Sequence, residues 1–374
     1  MNDAVDARLP WIRKVHDLDD AWATEPSGRR LAAVRLSAEG LGDEFRAGPR
    51  VAAVRTLPLR TLPYPTRHAF NGACLVPVPY VSMVHRSLLI QVETPEGRKN
   101  ILFNPSDTEA AKETPFFKRL VPQYGAELAE KMLSAFHGTV EAQLAKHDLR
   151  PEDIDVIAFD HFHTQDLRPQ LGTIAPNEHG EQLPARFPNA YLLAPKNEWN
   201  DWDNLHPFQR TWFIKDGKKD VNTERVILTE HDLALGEGCL LLRTPGHTSG
   251  NQTIFVHTEA GVFGCSENGT SADSWSPYES RIPGLRGYVR HYDLEVVLNS
   301  NTPEFAATQY TSMLLERSIV DRAEDNPAFF QMFPSSEVTP WRFAPGIQPS
   351  MIFGEIRSGQ VEAPRSTPIA EAAE

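Results

Sequence analysis

The sequence predicts an α/β protein, and three observations carry that prediction. A short apolar run, Val156-Ile157-Ala158-Phe159, passes directly into the polar string Asp160-His161-Phe162-His163-Thr164-Gln165-Asp166. Strand-like runs recur on both sides of it, alternating with segments of helical spacing. Three of these strand-like runs end in polar clusters, and strand ends are where α/β folds place their ligands.

In chain order, the first 65 residues are rich in Pro, Arg and Ala with little periodicity, and read as an N-terminal extension wrapped on the rest or used in subunit contact. Ser87-Leu88-Leu89-Ile90-Gln91-Val92-Glu93 reads as a strand, Pro95-Glu96-Gly97 as a turn and Asn100-Ile101-Leu102-Phe103-Asn104 as the returning strand of a hairpin. Thr114 to about His147 places Phe117, Leu120, Leu128, Met132, Phe136 and Val140 at helical spacing, with a break near Tyr124-Gly125. After the histidine string come a strand over Arg186 to Ala194, a helix start at Lys196-Asn197-Glu198-Trp199, and strands at Val226-Ile227-Leu228, Leu240-Leu241-Leu242-Arg243 and Gln252-Thr253-Ile254-Phe255-Val256. Glu259-Ala260-Gly261 then turns into Val262-Phe263.

With 374 residues and a formal net charge of −13, the chain can bury a large core. It lacks the clustered Lys and Arg that phosphate neutralisation requires, so no nucleic-acid partner is expected. Three scattered cysteines, Cys74, Cys239 and Cys265, point to free thiols in a reducing compartment. No stretch approaches the roughly 20 apolar residues that span a bilayer, and the start carries no basic, then apolar, leader pattern. A cytoplasmic location without a membrane partner is the expectation, as is a disordered tail after Gln360. The apolar residues of the Pro-rich extension need cover, which suggests a homodimer.

In extended backbone, side chains at i and i+2 point the same way, so His161 and His163 would converge on one point while Phe162 turns into packing. A His-x-His pair also serves to satisfy backbone carbonyls, so it proves little alone. Further on, Thr244-Pro245-Gly246-His247-Thr248-Ser249-Gly250-Asn251 places a histidine between glycines that permit a tight loop. The strand Val262-Phe263 then ends in Gly264-Cys265-Ser266-Glu267-Asn268. Three strand-end polar clusters together favour a site over three unrelated loops.

In order and spacing these clusters resemble the metallo-β-lactamase-fold superfamily over roughly residues 80 to 325. Leu149-Arg150-Pro151-Glu152-Asp153-Ile154-Asp155-Val156-Ile157 resembles the approach to that family's first metal motif, Phe187-Pro188-Asn189-Ala190 with Glu198 its next strand and helix, and Pro245-Gly246-His247-Thr248-Ser249-Gly250 its second histidine loop. The resemblance implies an αββα sandwich with metal at one edge: a main domain over 66–325, between the extension over 1–65 and a C-terminal segment over 326–374.

The chain departs from the family's His-x-His-x-Asp-His pattern by offering Gln165 and Asp166 in place of the closing Asp-His. A one-residue shift would give Asp166 the metal-binding Asp role. Cys265 matches a bridging position, as a thiolate ligand or as a small buried hydrophobe. Gln309 stands where a last histidine is expected. His161, His163 and His247 therefore remain as a three-histidine site for one metal, zinc for preference, with iron or manganese as alternatives.

Three imidazoles leave one open position, where bound hydroxide would attack an ester, lactone, amide or activated haloaromatic. Asp166 is expected to accept the water proton, and Asp160 to orient an imidazole or bind the metal. Their plain alternatives are a loop cap and a helix start. Phe162, Trp199, Trp202, Trp212, Trp275 and Tyr278 suggest an apolar substrate. An iron-dependent redox enzyme and a non-catalytic relative are the competing readings.

Overall fold

The computed structural model describes residues 3–125, 134–176 and 180–363. Its strands, in chain order, are β1 Ile12–Val15, β2 Ala53–Pro65, β3 Tyr80–Val92, β4 Lys99–Phe103, β5 Ala135–Phe136, β6 Val156–Ala158, β7 Tyr191–Pro195, β8 Val226–Thr229, β9 Asp232–Leu235, β10 Cys239–Arg243, β11 Gln252–Thr258, β12 Gly261–Ser266, β13 Met332–Pro334, β14 Ser336–Thr339 and β15 Arg357–Gly359. One sheet runs β1-β9-β10-β11-β12-β13; the other runs β15-β2-β3-β4-β6-β7-β8, with β14 added to β3 and β5 to β2.

Alternation along the strands builds the layers. In the second sheet Leu88, Ile90, Val92, Ile101, Phe103, Val156 and Ala158 face Leu241, Ile254, Val256, Phe263 and Phe333 of the first across a dry inter-sheet core. The intervening residues Leu89, Leu102, Ile157 and Leu192 point the other way, into a helix-covered layer with Leu144, Leu167 and Leu171. On the outer face of the first sheet, Leu240, Leu242, Phe255 and Val262 pack on the helices Ser27–Ala47 and Ala306–Ile319 through Val34, Ala38, Met313 and Leu314. The result is the αββα sandwich the resemblance implied. Gly42 lets the two outer helices touch, since a Cβ there would sit 3.0 Å from the Ser318 carbonyl oxygen.

The hairpin of residues 80–103 and the strands expected at 156, 191, 226, 240, 252 and 262 form, with ends shifted by a few residues. The long helix expected from Thr114 is shorter. It runs Pro115–Tyr124 and stops at Gly125, whose φ of 80° only glycine adopts freely. Leu128 and Met132 lie outside the described residues. Phe136 is in β5, and Val140 begins the short helix Val140–Ala145 behind a Thr139 cap.

The first 65 residues differ from expectation. β1 is the edge strand of one sheet, and β2 lies inside the other, paired with β3 from Ala53 opposite Gln91 to Pro65 opposite Tyr80. Proline concealed it. Pro58, Pro63 and Pro65 lack the N–H that a central strand donates, but they fall between and beyond the residues where β15 and β5 pair with β2, so no ladder bond is missing there. Nor does the folded unit end near 325. β13 joins the first sheet beside β12, and β14 joins the second beside β3, so the chain crosses between sheets at Ser335. Glu362 still exchanges hydrogen bonds of 2.9 and 2.7 Å with the Gln91 side chain; from 364 onward the expected disordered tail lies outside the described residues. Among the described residues no helix is long and apolar enough to cross a membrane.

A chain beginning at Thr66 would lose an interior strand and expose the β3 edge along its whole length. It is expected to accumulate as aggregate and to lack cooperative thermal unfolding by circular dichroism, whereas a detachable extension would leave the transition intact.

Candidate metal centre

The centre forms where three strand ends meet. β6 stops at Ala158, and the next residues carry His161 and His163 to the sheet edge; the loop joining β10 to β11 brings His247 against them. The three side chains are buried, and one ligand nitrogen of each lies within 4.8 Å of the others. Ring centroids are 4.6, 4.8 and 4.9 Å apart with planes 83° to 88° from parallel. Packing alone does not require three imidazoles to present edges to one point.

Each ring is fixed by its other nitrogen. His161 Nδ1 lies 2.8 Å from Asp160 Oδ1, and His247 Nδ1 lies 2.8 Å from the Ser300 carbonyl oxygen. His163 Nε2 lies 2.5 Å from Gln209 Oε1, while the Gln209 amide N–H donates to the His247 carbonyl at 3.3 Å, which orients that amide. All three partners are acceptors, so these outer nitrogens carry protons; the inward nitrogens of His163 and His247 then carry lone pairs, and that of His161 offers one once its second proton leaves. His163 Nδ1 and His247 Nε2 then face each other at 3.1 Å. Two lone pairs at that distance repel unless a cation lies between them. The residues therefore fit a metal ion bound by His161 Nε2, His163 Nδ1 and His247 Nε2.

The surroundings are tuned for positive charge. Burial would raise the Asp160 carboxyl, but His161, Ser335 and His85 hold it below its usual value. Asp160 accepts from the Ser335 hydroxyl and from the His161 backbone N–H, and its own N–H donates to Asn104 Oδ1 at 2.9 Å. Burial opposes charge on His161, yet Asp160, Glu198 and Glu267 push its pKa up to about 9; burial and the His161 charge bring His247 down to about 3. Burial, then Asp160, lifts Glu267 to about 8. Glu198 receives the Phe162 N–H at 2.6 Å and the Thr248 hydroxyl, linking the two histidine loops from below.

The other expected site residues go elsewhere. Thr164 adopts a left-handed φ of 63°, which turns the chain away, and Asp166 is spent on Arg168: both carboxylate oxygens meet its guanidinium, at 2.8 and 2.6 Å. Asp166 is therefore neither beside the histidines nor placed as their base. Cys265 points into the inter-sheet core, where its Sγ meets Ser335 Oγ at 3.6 Å, and burial pushes its thiol up, against thiolate formation. Asp160 positions His161 and does not join the ligand group. Gln309 donates to the carbonyls of Asn268 and Asn299 and packs under Gly246, where a Cβ would fall 2.3 Å from its own Cβ; it braces the His247 loop. Gln165 lines the cavity and donates to Ser106 Oγ at 2.8 Å. Among the described residues, no further His, Cys, Asp or Glu joins the triad.

Above the triad is a cavity of about 500 Å³, walled on its apolar side by Leu62, Met83, Phe117, Leu120, Val121 and Trp212, with Arg60, His85, Lys112, Glu113, Lys118 and Glu267 among its polar lining residues. Of the six aromatic residues expected around the site, only Trp212 reaches it. Phe162 and Trp202 belong to the core under the second sheet and Trp275 to that over the first. Sequence reading passed over His85, Gln209 and Ser335. The first sits in an apolar strand, and the other two belong to segments without a repeating pattern.

No family model matches the chain, and no curated protein matches it. Several solved structures align with it over much of its length. AidC, a dizinc quorum-quenching lactonase in complex with a product, aligns over 81% of this chain and 96% of its own at 15% identity, with a TM-score of 0.48. A probable metal-dependent hydrolase from Staphylococcus aureus aligns over 71% of this chain and 83% of its own at 14% identity and a TM-score of 0.47. An N-acyl homoserine lactone hydrolase with product at its catalytic metal centre aligns over 71% and 86%, at 17% identity and a TM-score of 0.44. The αββα layers and the histidine loops gathered at one sheet edge are those that the resemblance to the metallo-β-lactamase fold implied, and they rest on the strand order given above.

His247→Ala is expected to abolish stoichiometric metal in the purified protein, while Asp166→Asn and Cys265→Ala retain it; elemental analysis of the three variants decides, and metal loss in Asp166→Asn would restore that carboxylate as a ligand. A second expectation concerns His85, half-buried and held between the Ser106 and Ser336 hydroxyls at 2.9 and 3.0 Å. Burial lowers its pKa to about 4, below the unfolded value of 6.5. The folded state thus favours the neutral ring, and this contribution is complete above pH 6.5 and lost as pH falls toward 4, to the extent of about 3 kcal/mol. Urea unfolding across that window is expected to show a shallower pH dependence in His85→Gln than in the parent.

Proposed function

We propose that the chain is a mononuclear metal-dependent hydrolase acting on a small, largely apolar molecule with an electrophilic carbon: an ester, lactone, amide or activated haloaromatic. The observation that carries this reading is the convergence of three imidazole lone pairs beneath an apolar cavity. A single cation there, zinc for preference with iron or manganese as alternatives, supplies the charge that polarises a substrate and acidifies water. Amides at Gln165 and Gln309 favour one ion over two, and with it hydrolysis over di-iron redox chemistry.

The chain's own residues do the rest. Asp160, Gln209 and the Ser300 carbonyl hold the rings so that no reorganisation is needed when substrate arrives. Leu62, Met83, Phe117 and Trp212 exclude water and hold an apolar body against the triad. Three carboxyl groups line the cavity: Glu113 is exposed and paired with Lys118 at 2.7 Å, and Asp160 is committed to His161 and Ser335. Glu267, held by the Ser336 N–H at 3.0 Å, is left to take the proton of the attacking water and return it to the leaving group; its carboxyl is raised to about 8, and it would act in the ionised form, which a cation at the triad would favour.

Elemental analysis followed by a panel of activated esters, lactones, amides and haloaromatics tests the proposal. His161→Ala and His247→Ala are each expected to lose the metal and at least about 100-fold in kcat/KM. Glu267→Gln is expected to keep the metal and lose about 100-fold in kcat, with KM little changed. Activity that survives both histidine variants, or protein purified with no stoichiometric metal, would sink the reading. Two irons per chain with a visible chromophore would replace it with the redox alternative.

A further inference from the structure

We propose a second metal site, on the surface and sharing no residue with the cavity, formed by His16, Asp19 and His231 for a divalent transition metal such as zinc. One ligand atom from each of the three lies within 4.8 Å of the others. His16 Nδ1 is 2.8 Å from Asp19 Oδ2, and the rings of His16 and His231 meet edge to face with centroids 5.7 Å apart. A zinc ion with bonds of about 2.0 Å draws its ligand atoms closer than this. These side chains have the freedom to close: His16 is exposed, and Asp19 and His231 are half-buried.

Several features distinguish the cluster from a chance surface pair. Its donors are two imidazoles and one carboxylate, a set that suits zinc and its first-row neighbours and leaves positions for water. Asp19 is oriented from behind, since its Oδ1 accepts from Arg243 at 2.7 Å while Oδ2 faces the histidine. Arg243 is in turn matched by Asp232, 3.1 Å away, so its charge is shared between two carboxylates.

The placement says what binding does. His16 directly follows β1, and Asp19 lies three residues beyond it; His231 directly precedes β9, the strand β1 pairs with through Val15 opposite Asp232. An ion held by all three closes one end of that strand pair. β1 is the last strand of its sheet, held on its outer side only by the short segment Asp3–Val5, through the Val5 N–H to the Ile12 carbonyl and the Lys14 N–H to the Asp3 carbonyl, and a cross-link at its end opposes fraying.

The test is titration of the full-length protein with zinc ion alone, by calorimetry and by hydrogen exchange. The parent is expected to take one more equivalent than His16→Ala or His231→Ala, each of which weakens that event at least about tenfold. His206→Ala, an exposed histidine elsewhere, is expected to match the parent. Because the reading is a difference between chains with the same triad, it stands whether or not the triad is loaded. Zinc should slow exchange over residues 12–15 in the parent but not in His231→Ala. Equal stoichiometry and affinity in parent and variants, loss of the same equivalent in His206→Ala, or exchange unmoved by bound zinc would each overturn the proposal.

Discussion

Three imidazole lone pairs aimed at one point repel one another, and everything around them is arranged to hold that unfavourable geometry. Each ring is fixed by an acceptor on its far nitrogen, and the acceptors come from three separate stretches of chain: Asp160, Gln209 and Ser300. Asp160 is the most connected. It meets Asn104 at the end of β4, His161 beyond β6, and Ser335 where the chain crosses from one sheet to the other. One carboxylate thus joins the two halves of the sandwich at the edge where the site lies.

This dependence explains why the ends of the chain are integral. Ser335 is placed only because β13 and β14 add to opposite sheets, and β3, which receives β14, is itself sandwiched along its length by β2. Glu316 adds a further brace, accepting from Thr253, Asn268 and Trp275 deep between the outer helix and its sheet, while Asn268 holds the His247 backbone N–H. A buried carboxyl survives there because every neighbour donates to it, although burial still raises its pKa. The polar residues behind the site thus form a connected network, whose members cannot be replaced singly without leaving a buried group unpaired.

The same geometry accounts for the chain's departures from the family pattern. Where the resemblance implies ligands for a second ion, Gln165 and Gln309 are amides that carry hydrogen bonds, and Asp166 is neutralised by Arg168.

The amino-acid sequence by itself determined the local elements and the first-order site. Period-two alternation and turn residues marked the β3–β4 hairpin and most of the strands that follow, because a strand buried on one or both faces must show that pattern wherever it sits. His-x-His at the end of an apolar run and a glycine-flanked His247 were legible for the same reason: the spacing of ligands on extended backbone is a local matter. What only the tertiary structure decided was which distant groups face one another. β2 was hidden by prolines that are harmless where no neighbour pairs, and Gln209, His85 and Ser335 carry no mark in the sequence because an acceptor or a hydroxyl becomes a site residue only by arriving beside a histidine. Asp166 shows the converse: one left-handed residue, Thr164, turned a carboxylate adjacent in sequence toward an arginine instead of the metal centre.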